Sequence, residues 1–360
     1  MSEETLKTEE QPMFLWDYLK SADKPIVMYG MGDGAVKIME VMEKQGIKPA
    51  EFMASDEFVR GHSFMGYTVK KLSEIEEQYD DFIVIVCFGS QLPEVMDRLY
   101  AIAEKHELYA PDVPVIGGGL FDKEYAAENM AKIKQVREML ADDISRNTFD
   151  NWIRYRYSGN ISYLKACETP RSEAMELLKL GDRETFVDLG AYNGDTVEEF
   201  LQLTGKKFTK IYAVEPDARN YGKLRRRHYA LGSAIFEPIN AIAWSEDRTM
   251  DFFQRRGRNS AVSGIKGRNI PTAARSVDSI LGGKEATCIK LDVEGCEKEA
   301  LNGAAGTIGK YKPKLIVSLY HRMEDMLELP LLVKKLNSSY KFYLRHHPYI
   351  PGWDTNLYCI

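Results

Sequence analysis

The residues able to do chemistry cluster in the second half of the chain, at the ends of apolar runs. Asp188 lies in FVDLGAYNGDT (186–196), where apolar residues lead into a loop holding Gly190 and Gly194 and an amphipathic pattern begins at once. This reads as a buried strand, a tight turn and a helix start. The glycines let backbone N–H groups approach a ligand, and the helix start offers unpaired donors and a positive dipole end. The stretch is a nucleotide cradle. Glu215 follows 21 positions after Gly194, in KIYAVEPD (210–217). At that spacing, an acid ending the second strand accepts hydrogen bonds from ribose hydroxyls, and a Glu also repels a 2′-phosphate. The competing reading is a solvated acid before Pro216 that caps the next helix.

Two more predicted strands end in polar residues: Asn240 in FEPINAIAW (236–244) and Asp292 in TCIKLDVEG (287–295). In a doubly wound sheet the ligand sits beyond the carboxyl ends of the strands at the switch point, so these ends are the candidates. The loop G-A-Y-N-G-D-T departs from the dinucleotide pattern G-x-G-x-x-G, and the chain ends in a predicted hairpin foreign to that fold. Both departures favour S-adenosylmethionine. Asp292 has three open roles, namely binding the cofactor's ammonium, orienting an acceptor hydroxyl or taking its proton, beside a helix N-cap reading. His321 follows the buried run LIVSLY with an ordinary pKa suited to a general base, although a structural histidine is the commoner case.

The elements that must position these residues form two α/β units. In the first, PIVMYG gives a strand, Gly30, Gly32 and Gly34 a turn, and positions 35, 36, 38, 39, 41 and 42 a helical face. EFMAS, a short strand and helix in YTVKKLSEIEEQY, DFIVIVCFGS and a helix over Gln91–His106 follow, and VPVIGGG closes the unit near Gly119. Alternating strands and helices imply a parallel sheet covered on both faces. Its GMGDG turn, with Asp56 near the ribose-acid position, is first a fold-building turn and second a nucleotide or nucleotide-sugar site. Residues 1–120 are thus read as a Rossmann-like domain, 121–180 as a helical connector, and 181–360 as a seven-stranded Rossmann-like sheet. In the last, TMDFFQ is an edge strand, and YKFYLRHH and TNLYCI form a terminal antiparallel pair.

Composition bounds the function. With 360 residues, 48 Lys+Arg against 54 Asp+Glu and a net charge of -6, the chain lacks the basic balance of a general nucleic-acid binder. No apolar run reaches the roughly 20 residues of a membrane span, and the acidic N-terminus is unlike a signal peptide. Five scattered cysteines fit reduced thiols, which makes the expected location cytoplasmic. No tight ligand spacing points to a metal among Asp292, His321, Glu324 and Asp325, and a solvated acidic helix accounts for the last two. The basic run RGRNSAVSGIKGR (256–268) reads as a loop near the site, either solvated or holding an acidic acceptor.

FVDLGAYNGDT, AVEPD, Asn240 with Ala241, and IKLDVEGCEKEALNGA (289–304) together resemble the FkbM-type family of S-adenosylmethionine-dependent methyltransferases, over about residues 150–360. The resemblance implies a seven-stranded methyltransferase domain acting mainly on hydroxyl oxygens of sugars, glycans or secondary metabolites. It implies that Asp188, Gly190, Ala191, Asn193 and Glu215 line the cofactor, with Tyr192, Gly194, Pro216, Asn240 and Ala241 beside them, and that Asp292 faces the reaction centre. His321 joins Asp292 as a catalytic candidate. The first domain then helps recognise the acceptor or pairs two copies of the chain. Two other functions compete: a nucleotide or sugar-nucleotide binding module with a vestigial methyltransferase domain, and a nicotinamide-dependent oxidoreductase, which lacks a recognisable hydride-transfer partner.

Overall fold

The computed structural model describes residues 12–56, 59, 61, 63–254 and 268–360. Strands β1 (Ile26–Tyr29), β2 (Glu51–Met53), β3 (Ser63–Phe64), β4 (Tyr67–Lys70), β5 (Ile83–Val86) and β6 (Glu107–Tyr109) pair in the order β3-β4-β2-β1-β5-β6. All pairs are parallel except β3 with β4. The apolar runs of β1 and β5 are buried throughout, as strands in a sheet covered on both faces must be. In GMGDG, a Cβ added at Gly34 would lie 2.2 Å from the Cys87 carbonyl oxygen. That glycine serves close packing of the Asp33–Gln45 helix on the end of β5. The last strand is β6. VPVIGGG beyond it forms no strand, because Pro114 lacks a ladder donor; Ile116 N–H instead donates to the His321 carbonyl at 2.9 Å.

Helices Lys123–Glu128, Met130–Met139 and Asp143–Ser158 come next. Asp142 caps the longest of them, accepting from Ser145 N–H at 2.7 Å, and its other oxygen meets the Arg345 guanidinium at 2.7 Å. One apolar cluster runs from Val84 and Leu108 through Phe149, Trp152 and Tyr155 to Leu315 and Phe342. The large buried side chains of this helix thus join the two sheets, each contributing on the order of 2–3 kcal/mol through burial.

The remaining strands are β7 (Thr185–Leu189), β8 (Lys210–Val214), β9 (Phe236–Ile239), β10 (Ile242–Ala243), β11 (Arg248–Gln254), β12 (Arg268–Arg275), β13 (Cys288–Leu291), β14 (Lys314–Ser318), β15 (Phe342–His346) and β16 (Thr355–Cys359). Seven of them form a sheet in the order β15-β16-β14-β13-β7-β8-β9, and β10-β12-β11 form a small separate one. In the large sheet only β16 runs against its neighbours, so the expected terminal antiparallel pair is present. The chain leaves β7 outward to β9 and returns at β13, which puts the switch point between β7 and β13.

Three details differ from the sequence reading. The run 236–244 is two strands, broken where the Asn240 amide donates to the Glu215 and Pro216 carbonyls at 2.8 and 3.0 Å. TMDFFQ belongs to the small sheet. Its partner β12 was hidden by Pro271, which reads as a strand breaker; β10 reaches only Ala274 and Arg275, so β12 has one flank open at Pro271. Nearly all of the basic run 256–268 lies outside the described residues. No helix among the described residues is long and apolar enough to cross a membrane.

Candidate active site

At the switch point, the ends of β7 and β13 come so close that a Cβ at Gly190 would lie 1.9 Å from the Asp292 carbonyl oxygen; φ there is +81°. Only glycine fits. Beyond it the Asp195–Leu203 helix begins with no side-chain cap from Gly194, and its Thr196 N–H donates to the Asp195 carboxylate at 3.0 Å. These ends open into a cavity of about 490 Å³, within the usual range for small-molecule sites.

Of the residues expected to hold the cofactor, Gly190, Tyr192, Glu215, Pro216 and Asp292 line this cavity, whereas Asp188, Ala191, Asn193, Gly194, Asn240 and Ala241 do not. Glu215 is buried and accepts from the N–H groups of Tyr192 at 2.9 Å and Asp217 at 2.8 Å. Burial pushes its pKa up to about 7, and those two amides hold it from rising further. Asn240 supports the Glu215 turn from behind. Asp188 is fully buried, and neither of its oxygens accepts a hydrogen bond. Burial first, then Asp195 and Asp292, raise its pKa to about 6 against the pull of Lys290.

Lys290, which the sequence reading passed over, stands 3.5 Å from both Asp188 Oδ1 and Asp292 Oδ2. Its signal was visible: a lysine inside the buried run CIKL requires a charged partner. Asp292 Oδ1 accepts from the Tyr320 hydroxyl at 3.1 Å. Burial pushes the Asp292 carboxyl up, but Lys290, His321 and Tyr320 outweigh it and hold the pKa below the usual range.

His321 is buried with Nδ1 2.9 Å from Glu297 Oε1, and its Nε2 lies 3.5 Å from Asp292 Oδ1 and 3.6 Å from Glu294 Oε2. Burial alone would lower its pKa; the three carboxylates reverse that and raise it to about 10. Glu294, with φ +52° in the turn after β13, also lines the cavity. Asp325 is not solvated, as the sequence suggested, but buried and bonded to Arg322 N–H at 2.8 Å. His346 and His347 are buried structural groups, bonded to Thr355 and to Thr169 and Tyr358.

The far wall comes from elsewhere in the chain. Gln91 and Val115 of the first sheet's loops line it beside Tyr349, Trp353 and Asp354. Ser90 and Ile350 exchange backbone hydrogen bonds at 2.8 and 3.0 Å, which fixes this contact.

Residues 188–341 match the family model described as Methyltransferase FkbM domain. Over this segment the chain is similar to FkbM-type methyltransferases. A methyltransferase FkbM from Methylobacillus flagellatus KT has a similar structure, with a TM-score of 0.74, 21% identity and 99% and 96% of the two chains covered. At that identity the likeness concerns the fold, and it spans both sheets. An rRNA methylase from Streptococcus thermophilus aligns at a TM-score of 0.37 and 15% identity, over 53% of this chain and 96% of its own. No curated protein matches the chain.

The cofactor of the FkbM methyltransferase domain is S-adenosylmethionine. The residues present fit it: the cavity is lined by Asp195, Glu199, Glu215, Asp217, Asp292, Glu294 and Asp354 against Arg171, Lys290 and His321. An excess of carboxylates suits a ligand whose sulfonium and ammonium groups outnumber its carboxylate. Arg171 is itself engaged by Glu199, at 2.7 and 3.0 Å.

Proposed function

We propose that the protein is an S-adenosylmethionine-dependent O-methyltransferase acting on a hydroxyl of a sugar, glycan or secondary metabolite. The observation that carries this reading is one cavity lined both by Gly190 and Glu215 and by Asp292, Tyr320 and His321. When bound, the cofactor supplies a methyl group on a positively charged sulfur, open to in-line attack by an oxygen. Its amino-acid part lies against the 190–196 turn, and Glu215 accepts its ribose hydroxyls. Asp292 orients the acceptor hydroxyl. Asp292 and Glu294 are the carboxylates that take its proton, while His321 is held against Glu297 rather than serving as the base. Residues 1–120 form a unit whose Gln91 and Val115 complete the acceptor wall, 121–180 a connector, and 181–360 the catalytic unit. Five buried, unpaired cysteines support a cytoplasmic location.

Thermal stabilisation by S-adenosylhomocysteine, NAD and nucleotide sugars tests the reading, since a ligand at 100 times its Kd adds about 2.7 kcal/mol. Stabilisation by S-adenosylhomocysteine is expected. A shift with NAD alone would overturn the proposal. A panel of glycans and small alcohols with labelled methyl donor then identifies the acceptor.

A further inference from the structure

Among the described residues, one donor atom each from Asp292, Glu297 and His321 lies within 4.8 Å of the others. Sequence spacing concealed the group because its members come from two strand ends. Asp292 follows β13 directly, and His321 lies just beyond the neighbouring β14. Glu297 opens the next helix and is folded back by Val293 N–H, which donates to its Oε1 at 2.8 Å. Glu297 and His321 are almost wholly buried, at 1% and 2% exposure, and Glu297 Oε2 has no hydrogen-bond partner.

Charge in this corner is unbalanced. Asp292, Glu294 and Glu297 surround one imidazole, and Lys290 is shared with Asp188. The Arg322 guanidinium is directed to the Gly295 carbonyl, at 2.6 Å. Buried charges are normally paired or coordinate metals. We propose that Asp292, Glu297 and His321 form a divalent-cation site at the wall of the cavity, which Asp292 and His321 line. One imidazole with two carboxylates suits Mn²⁺, Fe²⁺ or Zn²⁺, and three protein ligands leave positions open. Resting on the methyltransferase reading, those positions take the acceptor: a hydroxyl with a second oxygen on the adjacent carbon, as in a 1,2-diol, chelates the cation, which polarises the reacting oxygen.

The test is Mn²⁺ binding to chelator-treated full-length protein, followed by electron paramagnetic resonance, with S-adenosylhomocysteine titrated in parallel by calorimetry. One saturable Mn²⁺ site with Kd below about 1 mM is expected, weakened at least about 10-fold in His321→Ala and Glu297→Gln. Variants that keep their affinity for S-adenosylhomocysteine are folded. Wild-type protein that binds S-adenosylhomocysteine but shows no saturable Mn²⁺ site overturns the proposal, as does Mn²⁺ affinity unchanged in both variants. Mn²⁺ binding without any S-adenosylhomocysteine binding sinks the methyltransferase reading and leaves the cation site standing.

Discussion

The Glu215 carboxylate accepts the Tyr192 amide at 2.9 Å, tying the end of β8 to the loop after β7. One side chain therefore shapes the cradle and faces the cavity. Glu215→Ala is expected to raise the Kd for S-adenosylhomocysteine by about 10–100-fold, the effect of one hydrogen bond to a charged group. Asp56→Ala, at an exposed position of the first unit, leaves it unchanged. Calorimetry on both variants decides, and equal affinities would remove Glu215 from the cofactor site.

Glu215 also sets a pH dependence. A carboxylate accepts ribose hydroxyls best when ionised, so cofactor affinity should fall as pH drops through about 7. The stability effect has the opposite sign. A folded-state pKa raised from 4.5 to about 7 gives a contribution fully present below the unfolded value and lost as pH rises through 7. Titrations at several pH values in wild type and Glu215→Gln check this; a flat wild-type profile contradicts it.

Gly190→Ala places a methyl 1.9 Å from the Asp292 carbonyl oxygen at φ +81°. The clash is with backbone, so β7 and β13 must separate, at a cost of about 2–4 kcal/mol. Gly205→Ala, also at positive φ but with nothing within 4 Å, costs only about 1 kcal/mol. Denaturant unfolding of the pair separates contact from conformation, and equal losses would refute the contact.

Asp292→Asn retains the shape of a side chain that accepts from Tyr320 and lies near Lys290. It should lower kcat by about 100-fold or more, with S-adenosylhomocysteine affinity changed only a few-fold. Turnover near wild type in single-turnover assays would exclude Asp292 from the reaction centre.

Much of the fold was legible in the sequence because burial on both faces writes strands such as IVIV and FVDL as apolar runs, and glycine turns mark their ends. The small sheet was less so. Pro271 masked β12, and the cue that splits 236–244 is a tertiary hydrogen bond from Asn240 to the Glu215 and Pro216 carbonyls. At the site, the spacing from Gly194 to Glu215 located two strand ends, but Glu294 and Glu297 in DVEGCE read as an ordinary acidic helix start.

By itself the sequence determined the α/β class, the family resemblance over the second half and the strand ends where ligands gather, since these follow from local pattern and periodicity. Only the tertiary structure decided which side chains face the cavity: it turned Asp188 inward behind Lys290, surrounded His321 with three carboxylates, and brought Gln91 from the first sheet to the far wall. Burial and charge are properties of neighbours in space, and those neighbours are as many as 260 residues apart along the chain, as the hydrogen-bonded Ser90 and Ile350 are.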